Sequence, residues 1–365
     1  MGTTLLSFVI VLGVLIFFHE FGHFLIARLF GVGVDKFSLG FGPRLIGKKI
    51  GRTDYRISAI PLGGYVKMVG EEPDAQIEPA DRPLSFTHKH VAKRMCIVAA
   101  GPIFNILLAV LIFFGIFLIS GLFVLTPSVG EVRDGSPAFY AGVKKGDVVT
   151  AIDGKPVSTW NDMTEIIGTS NGRPLEIMIK RENSDRVFQI TPESVPSKNV
   201  FGEDVRRYII GISSSGDFYT IKLNPLQAFA ESLKQTYHIT ELMVVIIGKL
   251  IIGDISADTI GGPIMIAKMA GDQAKSGIGN LIFFIALISV NLAIINLLPI
   301  PILDGGHLLF FMIEAIKGHP VSMKVREVAQ QIGLFIILLL VILVFYNDIF
   351  RYKDDILKFF QGIFS

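Results

Sequence analysis

Long apolar runs alternate with short polar ones along this chain, and their lengths set the first expectations. Four runs, at residues 4–27, 95–120, 279–300 and 329–347, are long enough to cross a bilayer as helices, since about 20 apolar residues suffice. A fifth, from Leu242 to Ile252, is short and interrupted by Lys249, and reads as an interfacial or half-buried helix. It closes an amphipathic stretch that begins at Asn224, with Leu226, Phe229, Leu233 and Tyr237 near one face. Between the first two runs the period changes. Tyr55-Arg56-Ile57-Ser58-Ala59-Ile60 alternates, then Gly63-Gly64 interrupts before Tyr65-Val66-Lys67-Met68. This predicts a β-hairpin or small sheet. Residues 71–83 are acidic and contain proline, which predicts a solvated loop. Residues 122–195 predict a β-rich module. Its elements are a short helix ending at Ala141-Gly142, a hairpin turning at Asp153-Gly154, a helix over 161–168 and strands over 174–181 and 186–192.

Composition agrees with this pattern. The 365 residues are 51% hydrophobic and only 18% charged, and the mean hydropathy is +0.56. The expected fold class is a polytopic α-helical membrane protein of about four transmembrane helices, with a membrane-associated β element and an inserted β-rich domain. The expected divisions are an N-terminal membrane core over 1–121, the module over 122–195, a linker with amphipathic interfacial helices over 196–278, and a C-terminal membrane core over 279–365. A net charge of +2 argues against nucleic acid as a partner. A lone cysteine, Cys96, excludes an intrachain disulfide and reads as a small buried residue. The first run lacks a basic leader and reads as a retained span. The segment 28–94 is rich in Arg and Lys and is expected in the cytoplasm. The first residues and the 121–278 region are then outside, and the 304–328 loop, with Lys317, Lys324 and Arg326, is inside.

Chemistry enters with His19-Glu20-Phe21-Gly22-His23, inside the first apolar run. A charged acid at the centre of a membrane helix costs roughly 2.5–3.5 kcal/mol, so such residues mark functional sites. His19 and His23 are four apart and share one helix face. That spacing lets both imidazoles bind one zinc ion, with Glu20 as base. A hydrolytic zinc site needs a third protein ligand. Prolines and a glycine pair break the third run at Pro299-Ile300-Pro301-Ile302-Leu303-Asp304-Gly305-Gly306-His307. Topology brings this break to the depth of the two histidines, with Asp304 the favoured ligand and His307 its rival. Asn105, in the second run, reads as an interhelical hydrogen-bonding residue. A membrane scaffold or a metal transporter would leave Glu20 without a role.

The module's Gly135-Ser136-Pro137-Ala138, Lys145-Gly146-Asp147 and Ile152-Asp153-Gly154 occur in an order that resembles a PDZ domain of bacterial proteases. The resemblance implies a peptide groove, expected between Ser128-Val129-Gly130-Glu131-Val132 and the 161–168 helix. These features are joined in sequence by His-Glu-Phe-Gly-His, Gly63-Gly64-Tyr65-Val66-Lys67-Met68, Gly101-Pro102-Ile103-Phe104-Asn105, Gly261-Gly262-Pro263-Ile264 and Asn296…Leu303-Asp304-Gly305. From about residue 4 to 347 the chain resembles the bacterial site-2 proteases of the RseP type, which are intramembrane zinc metalloproteases. The resemblance implies one zinc ion on His19, His23 and Asp304, with Glu20 as catalytic base. Asn296 and Asn291 would hold the substrate strand, and the β element, with Gly63, Gly64, Tyr65 and Val66, would pair with it. The implied partners are membrane lipid and single-pass membrane proteins, such as anti-sigma factors or signal-peptide remnants. The implied location is the bacterial inner membrane, with the PDZ module outside and the active site toward the cytoplasm. A single PDZ module departs from relatives with tandem copies.

Overall fold

The computed structural model describes residues 2–71, 77–182, 184–199, 203–256 and 261–353. Part of the expected acidic loop, 72–76, and the residues from 354 on lie outside them. The helices are α1 (Gly2–Leu29), α2 (Val91–Ser120), α3 (Pro137–Ala141), α4 (Trp160–Gly168), α5 (Pro225–Ile252), α6 (Pro263–Ser276), α7 (Ile278–Asn296), α8 (Asp304–Lys317) and α9 (Met323–Arg351). The strands are β1 (Val34–Ile50), β2 (Thr53–Met68), β3 (Leu122–Leu125), β4 (Val129–Val132), β5 (Val148–Ile152), β6 (Lys155–Pro156), β7 (Leu175–Arg181), β8 (Ser184–Ile190), β9 (Glu193–Lys198), β10 (Asp204–Ile209), β11 (Ile212–Ser214) and β12 (Phe218–Ile221). They fall into two compact units. One holds the residues up to Gly115, Phe229–Leu250 and those from Ser256 on; the other holds Ile116–Ala228 and Ile251–Ile255.

In the first unit, helices α1, α2, α7 and α9 carry the four predicted apolar runs. A membrane segment must satisfy its backbone internally, and such sequences do so as helices. Helix α5 joins the amphipathic stretch and the short fifth run into one helix of 28 residues. It too is long and apolar enough to cross a membrane, although its best window has a mean hydropathy of 1.3 against 2.2–2.8 for the others. Helices α1 and α2 approach closely at Gly22, where a Cβ would come within 2.9 Å of the Phe104 ring. Val11 and Leu15 of α1 pack with Leu108 of α2, Ala270 of α6 and Leu281, Phe284 and Ile285 of α7. Cys96 faces outward from α2 and is exposed, contrary to the buried position expected for a small residue in an apolar run. The helix ends are held by specific polar contacts. The Asp348 carboxylate of α9, fully buried, accepts hydrogen bonds from the backbone N–H groups of Gly262, Ile264 and Met265 at 2.9–3.0 Å. It thereby satisfies the otherwise orphaned donors at the start of α6.

The β element is more than a hairpin. Residues 36–39 of β1 pair on one side with 64–67 of β2 and on the other with 54–57, while 46–50 pair with 53–57. Strand β2 therefore doubles back, and the order across the sheet is 64–67, 36–39, 54–57, 46–50. Residues 54–57 are interior, and 64–67 form an edge. The sheet docks through Val34, Phe37, Val66 and Met68 onto Ala27, Phe86, Ile97 and Phe311.

In the second unit, β6-β5-β7-β8 form the main sheet. Asp153 and Gly154 turn the β5–β6 hairpin with φ of 50° and 72°, the left-handed pair that an Asp-Gly turn requires. Thr159 and Asp162 cap α4 reciprocally at 3.0 Å. The core includes Val149, Ile152, Met163, Ile167, Leu175 and Ile177. Ile210 also belongs to it, and β11 pairs with β4, so the unit continues past the expected boundary at 195. The cleft beside α4 is faced by residues 206–212, where 128–132 were expected. β4 is engaged by β11 instead.

Candidate active site

The site forms where α1, α2, α8 and β2 meet. The residues after α7 fold back tightly, with Leu303 N–H donating to Ile300 O at 2.8 Å. A Cβ at Gly305 would overlap the Leu297 and Leu298 carbonyls, and one at Gly306 would overlap Ile300 and Pro301. The glycine pair is what lets α8 begin here, with Asp304 in its first turn. Helix α8 is tied to α2 by a two-pronged Arg94–Glu314 ion pair, with Nη1 to Oε2 at 3.2 Å. The Arg94 guanidinium also lies over the Phe311 ring, 4.9 Å from its centroid.

Three ligand-type atoms converge at this point. His19 Nε2 lies 3.2 Å from Asp304 Oδ2, His23 Nε2 lies 3.6 Å from the same oxygen, and the two Nε2 atoms are 3.3 Å apart. Asp304 Oδ2 is buried without a hydrogen bond. His23 Nδ1 lies 2.9 Å from the Ile97 carbonyl. A carbonyl can only accept, so Nδ1 carries the proton and Nε2 of the neutral ring presents a lone pair. With His19 in the same tautomer, the two nitrogens and the carboxylate oxygen have no hydrogen between them, and one cation can join all three. Ligands about 2.1 Å from a tetrahedral zinc ion are roughly 3.4 Å apart, so both donor types and spacings fit zinc. Among the described residues, this is the one group of three or more such side chains that could hold a metal. His307 is not in it.

A cavity of about 480 Å³ opens on the triad. His19, Glu20, His23, Asp304 and His307 line it, together with Gly64, Tyr65 and Val66 of β2 and Met323, Arg326, Glu327 and Gln330 of α9. Glu20 is beside the β2 edge, where a Cβ on Gly64 would come within 2.9 Å of Glu20 Cγ. Of the other predicted residues, Gly63 adjoins this edge at a φ of 131° against the Phe41 ring. Asn291 and Asn296 sit on α7 outside the cavity lining. Sequence reasoning missed the α9 residues, whose polar spacing at the start of an apolar run looks like an ordinary solvated end. It also missed Ile97, whose contribution is a carbonyl.

Comparison with known proteins places the chain in one family. Peptidase family M50 matches residues 7–340. The chain is 39% identical to a candidate zinc metalloprotease of Agrobacterium fabrum, over 94% of this chain and 95% of that relative. It is 37% identical to one from Campylobacter jejuni, over 95% and 93%. It is 32% identical to the zinc metalloprotease RasP of Geobacillus kaustophilus, over 96% and 98%. Among solved structures, the PDZ domain of an SdrC-like protein from Listeria monocytogenes covers 25% of this chain and 85% of its own, at 23% identity and a TM-score of 0.20. The chain belongs to Peptidase family M50, the site-2 proteases.

Proposed function

We propose that this zinc metalloprotease cuts peptide bonds in membrane-embedded segments of single-pass proteins, with His19, His23 and Asp304 as the zinc ligands and Glu20 as base. The convergence of two imidazole nitrogens and a stranded carboxylate oxygen within 3.2–3.6 Å carries the reading. Zinc in such a site supplies Lewis acidity, which lowers the pKa of water toward about 7 and polarises the scissile carbonyl. Glu20 takes the proton of the attacking water and delivers it to the departing amide nitrogen. A helical substrate hides its carbonyls in internal hydrogen bonds, so it must first be extended. Residues 64–66 of this edge line the cavity, and among the described residues no strand pairs with their outer side. Added there as a strand, the substrate backbone runs past Glu20. Asn291 and Asn296 hold the same strand from α7, and the cleft between α4 and 206–212 receives a peptide in the PDZ manner.

The reading includes four crossings of the bacterial inner membrane, with α5 at the interface. Leu108 packs with Val11 and Leu15 while Gly101 meets His23, so α2 runs back along α1 and ends toward Thr4. Gly271 of α6 also adjoins Thr4, and α7 starts directly after α6. Asp304, just past α7, reaches the His19–His23 end. This supports residues 120 and 278 lying on one side of the membrane, an arrangement a single crossing by α5 would break. With 28–94 in the cytoplasm by its basic charge, the β-rich unit is outside and the site faces inward.

The test is incubation of the purified protein in detergent with a labelled single-span substrate, with product termini mapped by mass spectrometry. A cut inside the apolar segment supports the reading. Cuts confined to the flanking soluble segments contradict it.

A further inference from the structure

The second nitrogen of His19 leads to a residue with no assigned part in the chemistry. Asn105 of α2 is fully buried, and its carboxamide Nδ2 lies 3.3 Å from His19 Nδ1. Its Oδ1 is buried with no partner. Its own backbone carbonyl accepts a hydrogen bond from Ser289 Oγ of α7 at 2.7 Å, so the residue is fixed against two helices.

A histidine that binds metal through Nε2 carries its hydrogen on Nδ1, and an acceptor there orients the ring and raises its basicity. His23 has such an acceptor in the Ile97 carbonyl. For His19 the group at that position is the Asn105 carboxamide. Its amide nitrogen is a donor and cannot receive the hydrogen, whereas its oxygen can. The two ends of a carboxamide exchange by a half-turn about the Cβ–Cγ bond, and the hydrogen-bond network decides between them. The half-turn gives His19 Nδ1–H an acceptor and gives the stranded Oδ1 a donor at once. The arrangement is periodic. Residues 97, 101 and 105 recur every four positions on α2, against histidines four apart on α1. Ile97 serves His23, and Asn105 serves His19. Gly101, between them, leaves room for both rings, since a Cβ there would overlap His23 and come within 2.8 Å of His19.

We propose that Asn105 is the positioning residue of His19, accepting the Nδ1–H hydrogen bond through Oδ1 and thereby holding Nε2 on the metal. The proposal rests on His19 being a zinc ligand. The experiment measures zinc affinity by chelator competition for the purified wild type, Asn105→Leu and Asn105→Asp, with Asp304→Asn alongside. Leucine keeps the size and removes the acceptor, and zinc binding is expected to weaken about 10–100-fold. Aspartate keeps an acceptor and no donor, and is expected to restore affinity to within a few-fold of wild type. A packing role alone would not separate these two. Zinc affinity unchanged in Asn105→Leu, or lost equally in Asn105→Asp, overturns the proposal. If Asn105→Leu does not fold, Asn105→Asp decides by itself, with a loss of about tenfold or more counting against Asn105. Substitution of cobalt gives a second readout, since a disoriented His19 shifts the visible ligand-field bands and the aspartate variant is expected to return them. Undiminished zinc in Asp304→Asn would instead sink the ligand set on which the proposal stands.

Discussion

Asp304 and His307 are one helical turn apart, and both line the cavity, yet only Asp304 turns its oxygen onto the two imidazoles. Asp304→Asn is therefore expected to lose zinc and activity, while His307→Gln keeps its zinc; metal analysis of the two purified variants checks this. Gly101→Ala puts a methyl group into the histidine rings. Overpacking of this kind costs about 1–3 kcal/mol, and the account predicts weakened zinc binding with helix content unchanged by circular dichroism. Of the proposed site, His19, His23 and Glu20 were legible because their spacing is local and matches one helix face. Asp304 was legible only through topology, with His307 left open beside it. The link from Asn105 to His19 was not legible, because it joins residues 86 apart through the packing of two spans. An asparagine in a membrane helix suggests a hydrogen bond but not its partner.

Element by element, the four apolar runs translated directly into helices, since a bilayer-length run has one way to satisfy its backbone. The β element was legible as strands but not in its order. Alternation marks 55–60 and Gly63-Gly64 marks a break, but nothing local says that β2 doubles back and buries 54–57 between neighbours. The strand beside the cavity is therefore 64–66 and not the 55–60 strand. The tie between α2 and α8 was likewise hidden, since Arg94 and Glu314 are 220 positions apart. Both side chains are largely buried, and breaking a buried pair by removing one partner costs about 3–5 kcal/mol. Arg94→Met is expected to lower thermal stability and zinc occupancy together. The double variant Arg94→Met/Glu314→Leu, which leaves no unpaired charge, is expected to recover most of both, and a double variant as unstable as the single one would contradict the account.

At the scale of the molecule, the proposed four crossings would put Lys222 and Gly253, which flank α5, on the same face of the membrane. With Cys96 replaced, Lys222→Cys and Gly253→Cys are expected to react with an impermeant thiol reagent from the same side of sealed vesicles; opposite sides would mean that α5 crosses. The β-rich unit was legible strand by strand through residue 192, but its closure by β11 was not, because a three-residue strand that pairs Ile212 with Val132 and Ser214 with Val129 carries no local pattern. Inside this unit Asp147 is buried, which by itself raises its pKa. Two hydrogen bonds from Arg181 at 2.7–2.8 Å and one from the Lys144 N–H outweigh that and hold the carboxyl below the ordinary carboxylate range. The folded value being depressed, this stabilisation is present at neutral pH and is lost as the pH falls below about 4. Trp160, the sole tryptophan, packs on this core and reports its unfolding by fluorescence. The wild-type midpoint is expected to drop below pH 4, and Asp147→Asn is expected to be about 3 kcal/mol less stable at pH 7; equal stability at pH 7 would refute the assignment. The central claim, that His19, His23 and Asp304 hold the zinc while Glu20 moves the proton, is tested most directly by zinc content and cleavage in wild type and Glu20→Gln. The account predicts about one zinc per chain in both and cleavage reduced at least 10²-fold in the variant. Cleavage at the wild-type rate by Glu20→Gln with its zinc in place would contradict it.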